Sequence, residues 1–485
     1  MNRTTINIMA LAVTATIVYG CGTYKKYERP YIPEDTNVVR NGMLHIDNEG
    51  NETANHEAFN TTIQADSLPS WRDVFTDPLL QSLIEEGVAN NADLAVAHMK
   101  VVEATATLAT ARKALLPSID LTASGSLSSY DGSKATKEYS IGPEISWEVN
   151  IFGKLSNEKR IQAASLEESQ AYAQAVQTEL VATIACQYYM LMMYDEQIKV
   201  TLQTVESWRE YIATQKALLQ AGQVKRSDVS QAEASRLAAM VTLETLKQQT
   251  FELENSLSTL VGRAPGNIER GRLDTQTIPA TMTGGISLAS LASRPDVREA
   301  EAQLKQAFYS VNKAHASFYP SVTLSGSAGW TNSGGAAITN PGAWLLQALG
   351  SIVQPLFNQG KLKANLTIAK TQQEEAVIQF RQSLLTAAEE VNNALSNLQS
   401  LAVKVALEDR QITSLEQTVT DTETSMKYGE ANYLQVVVAR QSLLSAQLDR
   451  LQNQYSRLES AVTLREFGII ILCNKPAFIN DVNIE

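Results

Sequence analysis

The sequence predicts a mixed α/β membrane protein in which β-hairpins alternate with very long helices. Three observations support this prediction: an internal duplication, two pairs of runs in which apolar and polar residues alternate, and two long stretches without proline. A fixed repeat period of 203 to 207 residues indicates a duplicated domain rather than a solenoid of short repeats. We therefore expect one elongated body made of two similar units.

The duplication is visible in matched segments that occur in the same order in both halves of the chain. Residues 111–121 return, degenerately, as residues 314–324, which is an offset of 203. Residues 145–155 return as residues 352–362, which is an offset of 207. Each unit can therefore be compared with its twin.

Each unit contains a predicted β-hairpin that begins at a shared proline, Pro117 or Pro320. The hairpins are predicted over residues 117–150 and 320–357, because apolar residues alternate there with polar ones and a period of two indicates strands. In the first hairpin the apolar members are Ile119, Leu121, Ala123, Gly125 and Leu127, then Tyr139, Ile141, Ile145, Trp147 and Val149. In the second hairpin the alternating runs are residues 322–330 and 344–357. Strands of about ten residues with one apolar face suit a transmembrane barrel. One hairpin alone would fit a soluble sheet equally well.

A very long helix is predicted after each hairpin, over residues 153–222 and 360–429. Neither stretch contains proline, and helices of this length would extend on the order of 100 Å. The first carries an apolar residue at every seventh position, which predicts left-handed coiled packing against another helix. This stripe consists of Ile184, Leu191, Ile198, Val205, Ile212 and Leu219, supported by Tyr194, Leu202 and Trp208. An isolated fibrous coiled coil is the alternative, but it does not explain the two hairpins.

A return helix is predicted after each long helix, over residues 225–262 and 432–466. At about 60 Å each, these helices are too short to cover their long partners. The helical segments before the hairpins, residues 77–116 and 294–319, supply the missing length if they stack end to end with the return helices. Each unit would then form a two-stranded, antiparallel column.

The N-terminus has the pattern of an export signal. Residues 1–20 contain a single charge, Arg3, followed by an apolar core. Gly20 before Cys21 resembles a bacterial lipobox, which predicts that a palmitate-containing lipid anchors the chain at Cys21. Ordinary cleavage or an uncleaved anchor are the alternatives. Residues 21–70 are rich in Asn, Thr, Asp and Glu and are predicted to form a lipid-anchored, extended arm.

The predicted domains follow from these elements. The first structural repeat covers residues 71–262 and the second covers residues 291–467, with a C-terminal tail at residues 468–485. The inter-repeat crossover, residues 263–290, is rich in glycine and proline and is expected to lie outside the helical column. Near the start of the first repeat, Asp77 is expected to cap a helix that Pro78 opens.

Composition and motifs argue against an enzyme, a metal site, a cofactor and a nucleic-acid partner. The formal net charge of −12 lacks the basic surface that nucleic acids require. The four histidines have no metal-ligand spacing, and the sequence has no Cys-x-x-Cys pair. The Gly-Lys pairs at residues 153–154 and 360–361 lack the first glycine of a phosphate-binding loop. After the N-terminus, no run of 18 apolar residues indicates a membrane-spanning helix.

Several short motifs occur in a specific order along the chain. They include Tyr-Glu-Arg-Pro at residues 27–30, Asp-Pro-Leu at 77–79, Trp-Glu-Val at 147–149, Arg-Pro-Asp-Val at 294–297, Pro-Leu-Phe at 355–357 and Tyr-Gly at 428–429. In this order they resemble the outer-membrane factor family, the TolC-like exit ducts, and most closely its lipoprotein branch associated with drug efflux. The resemblance covers about residues 27–467. The C-terminal tail departs from it, because the family often ends this helix with Gly-Gly-Trp.

The resemblance implies a homotrimer whose 12-stranded outer-membrane barrel continues into a 12-helix periplasmic tunnel. It also implies passive export of substrates that an inner-membrane pump of the resistance-nodulation-division (RND) class delivers through a periplasmic adaptor. The residues themselves require only an oligomer, because four strands cannot close a membrane barrel and an open edge is not tolerated in lipid. Two chains would supply eight strands and three would supply twelve; the resemblance selects three.

The reversals between long and return helices are one candidate site. Gly222 and Gly429 are 207 residues apart and occupy equivalent turns. The turns farthest from the strands are expected to contact the adaptor, although turn geometry alone would explain the two glycines. The residues of these turns are Gly222, Gln223 and Val224 in the first repeat and Gly429, Glu430 and Ala431 in the second.

The start of the second return helix is the other candidate site. In related efflux ducts a Leu and, four residues later, an Asp close the periplasmic aperture, and the matching positions here are Leu434 and Val438. Because Val replaces the acid, we expect an aperture closed by apolar contact and dewetting. Packing of both residues between helices is the alternative.

Two other functions remain open on the sequence. One is the outer-membrane component of a type I protein-secretion exporter, and the other is a non-conducting coiled-coil lipoprotein that acts as a periplasmic spacer. The lipobox favours the efflux duct over the secretion exporter. The hairpins argue against the spacer, which needs no strands.

Overall fold

The computed structural model of this chain is mainly helical, with strands interrupting the helices. The described residues are 26–32, 44–46, 52–54, 61–62, 71–129, 131–132, 135–276, 284–285, 291–331, 343–428, 430 and 432–468. The export signal, Cys21 and the tail beyond Gly468 lie outside the described residues.

The helices follow the predicted order. They are α1 Trp71–Val74, α2 Pro78–Asn90, α3 Ala92–Lys113, α4 Lys154–Gln220, α5 Arg226–Leu260, α6 Pro295–Ala316, α7 Lys361–Lys427 and α8 Tyr433–Gly468. The strands are β1 Leu44–Ile46, β2 Glu52–Ala54, β3 Thr61–Thr62, β4 Ser118–Ser128, β5 Thr136–Val149, β6 Gly284–Gly285, β7 Ser321–Thr331 and β8 Ala343–Val353. None of the described helices has an apolar segment long enough to cross a membrane.

The chain packs as two compact units. The strand unit consists of the described residues within 26–31, 98–172 and 296–383. The helical unit consists of the described residues within 32–97, 173–295 and 384–468.

The strand unit contains one four-stranded sheet with the order β4-β5-β7-β8, in which all neighbours are antiparallel. The register puts the predicted apolar positions of β4 and β5 on one face, since Ile119 pairs with Ile145 and Ala123 pairs with Ile141. Polar residues occupy the other face. In a single chain, every residue of β4 is exposed.

The second hairpin ends earlier than predicted. The alternating run was expected to continue to Phe357, but β8 ends at Val353. Pro355 explains the difference, because proline has no N–H to donate to the strand ladder. Leu356 and Phe357 lie beyond the strand and are almost fully exposed, at 93% and 88%.

An ion pair and an aromatic stack connect α6 and the turn after it with α4 and the turn before it. The Nζ of Lys313 lies 2.6 Å from Glu158, which joins α6 to α4. Phe152 and Tyr319 stack with their ring centroids 4.9 Å apart. The Lys313 ammonium hydrogen-bonds to Glu158 and lowers the pKa of that carboxyl, against a desolvation effect that raises it.

The N-terminal segment is attached to α6. Tyr27 meets Phe308 edge to face with ring centroids 5.8 Å apart, and Arg29 forms a 2.6 Å ion pair with Glu301. Burial raises the pKa of the Tyr27 hydroxyl. Within the arm, the described stretch at residues 26–32 contains no helix or strand.

Farther along, the arm differs from the expected extended linker. β1 pairs with β2 in an antiparallel ladder, and β3 pairs in parallel with β6 of the inter-repeat crossover. Sequence periodicity and composition do not reveal strand pairings of two or three residues, because segments this short do not contain enough residues to display a period.

The helical unit has a core of large apolar side chains. Its fully buried members include Leu80, Ile84, Ile184, Tyr188, Leu191, Leu257, Ile268 and Leu273. Ile268 and Leu273 belong to the crossover, so that segment packs onto the core. Arg270 adds ion pairs to Asp195 on α4 and Glu254 on α5. The hydrogen bonds that Arg270 donates to Asp195 and Glu254 raise the pKa of its guanidinium.

Asn91 divides the helix that was predicted over residues 77–116. Its side-chain oxygen accepts a hydrogen bond from the Leu94 N–H, which caps α3, and its amide nitrogen donates to the Leu260 carbonyl at 2.9 Å. The start of α3 therefore lies close to the end of α5, and the expected end-to-end stacking stays a prediction. Asp77 caps α2 by accepting from the Leu79 N–H, as predicted.

The heptad stripe on α4 is buried at some positions and half-buried at others. Ile184, Leu191 and Ile212 have at most 4% exposure. Leu202 was expected to support the stripe, but it is 48% exposed. The adjacent Thr201 is fully buried instead, with its hydroxyl bonded to the Gln197 carbonyl. A threonine can be buried on a helix in this way because a carbonyl of the preceding turn accepts a hydrogen bond from its hydroxyl.

Candidate functional site

The first helix reversal is a tight turn after α4. Gly222 has φ +73°, and its N–H donates to the Leu219 carbonyl while the Gln223 N–H donates to the Leu218 carbonyl. This bonding pattern ends a helix with a left-handed residue, for which glycine has no steric penalty. A Cβ added to Gly222 would meet no atom within 4 Å, so backbone conformation rather than crowding requires glycine. Gln223 is exposed and Val224 is half-buried.

The second reversal has the same bond at the matching place. The Glu430 N–H donates to the Ser425 carbonyl at 2.9 Å, as Gln223 does to Leu218. Gly429 and Ala431 lie outside the described residues. Glu430 itself is exposed.

Each return helix begins with side-chain caps. At α5 the Lys225 N–H donates to the Asp228 carboxylate at 3.1 Å. At α8 the Asn432 N–H donates to the Gln435 side-chain oxygen and the Gln435 N–H donates to the Asn432 side-chain oxygen, both at 3.2 Å. Reciprocal bonds of this kind satisfy N–H groups that have no partner inside the helix.

A small apolar cluster lies beneath the start of α8. It consists of Trp208, Tyr211, Ile212, Ala232, Ala239, Val436 and Val437. Val436 and Val437 are 0% and 2% exposed, so this side of α8 packs against α4 and α5. Burial raises the pKa of the Tyr211 hydroxyl to about 12.

Leu434 and Val438 lie on the opposite side of α8. They are 50% and 52% exposed, respectively. A spacing of four residues places them one turn apart on one helix face. The structure therefore brings the two predicted aperture residues together on a surface, and it does not pack them into the core of a single chain.

Arg440 holds α8 against two neighbouring helices. Its guanidinium forms hydrogen bonds with Glu423 on α7 and Ser207 on α4. The same group lies 5.4 Å from the Trp208 ring centroid and 5.0 Å from that of Tyr211. Its side chain is only 12% exposed. Sequence reasoning missed this residue; the available signal was a single arginine directly after the apolar run at residues 436–439.

The arrangement offers a contact surface. The exposed face at Leu434 and Val438 is apolar, and the position four residues after the leucine carries no carboxylate. Among the described residues, no group of three or more His, Cys, Asp or Glu side chains could hold a metal ion. Such a surface can close a passage by contact between apolar side chains or contact another protein.

Comparison with known proteins gives consistent matches over most of the chain. The model of the outer membrane efflux protein family matches residues 83–263 and 287–467. The probable outer membrane lipoprotein SilC of Salmonella typhimurium is 27% identical over 460 residues, which is 93% of this chain and 96% of SilC. The toluene efflux pump outer membrane protein TtgC of Pseudomonas putida is 28% identical over 475 residues, covering 95% and 94% of the two chains. The open-state structure of the Neisseria gonorrhoeae MtrE outer membrane channel is 25% identical, has a TM-score of 0.78, and the match covers 92% of this chain and 98% of MtrE.

Proposed function

Because this chain belongs to the outer membrane efflux protein family, we propose that it is the outer-membrane exit duct of a tripartite efflux system. Three copies form a 12-stranded barrel in the outer membrane, continued by a helical tunnel in the periplasm. An inner-membrane RND pump and a periplasmic adaptor deliver the substrates, which pass through the duct without chemical change.

The open four-stranded sheet is the observation that carries this proposal. Among the described strands of a single chain, none pairs with the outer side of the edge strands β4 and β8. The apolar face includes Leu121 and Leu346, which are 77% and 84% exposed. In lipid an unpaired strand edge would leave N–H and C=O groups without partners, so the sheet has to close with further copies. Four strands per chain give twelve in a trimer.

In this duct the helix reversals bind the adaptor, and the exposed face of α8 closes the periplasmic aperture. Gln223 and Glu430 contact the adaptor, as do their neighbours in the two turns. Leu434 and Val438 of three copies converge to close the periplasmic aperture. In support, both residues are apolar and yet exposed in a single chain. Val436, Val437 and Arg440 hold the other side of α8 against helices of the same chain.

The lipid anchor at Cys21 is a further part of the proposal. The similarity to SilC, a probable outer membrane lipoprotein, supports it, as does Gly20 at the end of the export signal. The anchor ties the arm to the inner leaflet of the outer membrane.

The assembly and its conduction can be tested with the purified full-length protein. We expect a mass of three chains by light scattering corrected for detergent, and channel events in planar bilayers. The matched sample is the same protein after heat dissociation, which should not conduct. Intact protein that remains a single chain and never conducts would contradict the proposed duct.

A further inference from the structure

The two hairpins have the same strand register when the repeat offsets are applied. Ser118 of β4 pairs with Ser146 of β5. Their counterparts, 203 and 207 residues later, are Ser321 and Val353, and these also pair with each other. The duplication is therefore preserved at the level of individual residue pairs, and not only in the order of elements.

The junction between the two hairpins inside one chain is the pairing of β5 with β7. In this junction Glu144 pairs with Ser327, Ile145 pairs with Gly326, and Ser146 pairs with Ser325. It joins the second strand of one repeat to the first strand of the other. Among the described strands, β8 is also the second strand of a repeat and β4 the first, and they form the two edges of the sheet.

We propose that β8 of one copy pairs antiparallel with β4 of the next copy in the register of the β5–β7 junction, so that Ser351 lies opposite Ser124 of the neighbour. The inference rests on the proposed duct and adds its residue-level interface. The position in β8 that is equivalent to Glu144 of β5 is Ser351, 207 residues later. The position in β4 that is equivalent to Ser327 of β7 is Ser124, 203 residues earlier. In the same way, Ile352 lies opposite Ala123 and Val353 lies opposite Thr122.

The chemistry of the two edge strands agrees with this register. Ile352 belongs to the face of the sheet that carries Val322, its partner in β7, and Ala123 belongs to the face that carries Ile141. The proposed pairing therefore continues one apolar face from copy to copy. A slip of one residue would place Ile352 beside a polar-face residue of β4, since successive side chains point to opposite faces. Slips of two residues preserve the faces and are the real competitors.

Paired cysteines can measure the register. Directly opposite residues have Cβ atoms about 4.5–5.5 Å apart, against about 7–8 Å for diagonal neighbours. A disulfide needs Cβ atoms about 3.5–4.5 Å apart, so it should form most readily between directly opposite cysteines. Within one chain β4 and β8 are separated by three strand spacings, or about 14 Å, so a disulfide between them has to join two copies. In a single chain Ser124 is exposed and Ser351 is half-buried.

The experiment compares three double variants in full-length protein in which Cys186 and Cys473 are replaced by Ser. Ser351→Cys is combined with Ser124→Cys, with Thr122→Cys or with Ser126→Cys, and isolated outer membranes are oxidised with copper phenanthroline. We expect several-fold more linked copies for Ser124→Cys than for the other two. Glu144→Cys with Ser327→Cys is the oxidation control, and it should link within one chain without doubling its mass.

The outcomes separate this inference from the proposed duct. Stronger linkage through Thr122→Cys or Ser126→Cys overturns the register and leaves the duct intact. If trimers form but none of the three pairs links, the pairing of β8 with β4 is wrong. Copies that purify as monomers contradict the proposed duct, and the inference fails with it.

Discussion

The backbones of Gly142 and Gly329 approach each other across β5 and β7 so closely that neither position has room for a side chain. A Cβ on Gly329 would lie 2.3 Å from the Ile141 carbonyl oxygen, and one on Gly142 would lie 2.2 Å from the Ala328 carbonyl oxygen. Pro143, which cannot donate to the ladder, lies next to this point. The close approach therefore occurs where regular pairing between the two hairpins is interrupted.

Replacing Gly329 with alanine is expected to weaken the sheet. The added methyl group meets backbone atoms that cannot move aside independently, and overpacking of this kind typically costs about 1–3 kcal/mol. We expect a lower dissociation temperature for the assembled protein on semi-native gels and less protein in the outer membrane. Gly326→Ala is the matched control on the same strand, because its Cβ would come no nearer than 3.5 Å to the Gln347 carbonyl oxygen. Equal behaviour of the two variants would show that the approach at Gly329 is not tight.

The lipid anchor predicts a specific labelling pattern. If the lipid is attached at Cys21, cells grown with an alkyne analogue of palmitate should label the wild-type chain and a Cys186→Ser variant. Cys21→Ser should lose the label and still insert through its barrel, with reduced yield. Label that survives Cys21→Ser would exclude acylation at this residue.

The sequence predicted the larger elements because their signals accumulate over many residues. The stripe from Ile184 to Leu219 and the alternation from Ile119 to Leu127 each contain several periods, so one exception does not hide the pattern. The break at Asn91 depends instead on a single side chain that caps α3 and bonds to the Leu260 carbonyl, 169 residues away. Local sequence carries no information about such a distant partner.

In the candidate site, too, features with a local sequence signal could be predicted and features with distant partners could not. The glycine at position 222 could be recognised because a left-handed residue ends a helix in a known way. The role of Arg440 could not, because its partners Glu423, Ser207 and Trp208 lie on two other helices. Partners of this kind become visible only when the helices are packed.

The helix reversals are expected to crosslink to the adaptor. Gln223→Cys and Glu430→Cys place thiols at exposed positions in the two turns, so a short bismaleimide should join each to an adaptor in cells that express both proteins. Asp131→Cys is the control, because Asp131 lies in the turn between β4 and β5, at the hairpin tip. Crosslinks from Asp131→Cys together with none from the reversals would reverse the proposed orientation.

The aperture prediction uses the exposed face of α8. Leu434→Ala combined with Val438→Ala removes apolar side chains from a face that is half exposed in one chain, while the buried Val436 and Val437 are unchanged. If three copies close the passage through this face, the smaller side chains should admit water. We expect higher conductance in planar bilayers and cells that leak large antibiotics without an active pump.

A negative charge at position 438 tests the proposed aperture through its effect on ion selectivity. Val438→Asp would put three carboxylates close together, and their mutual repulsion raises their pKa above the ordinary value of about 3.9. Cation selectivity should therefore be present above that raised pKa and be lost as the pH falls through it. Ser442→Asp, one turn farther along α8, is the matched control and should have a smaller effect, because a carboxylate acts most strongly where the passage is narrowest. Trimers that stay intact and conduct like the parent protein in both the alanine and the aspartate variants would show that the constriction lies elsewhere.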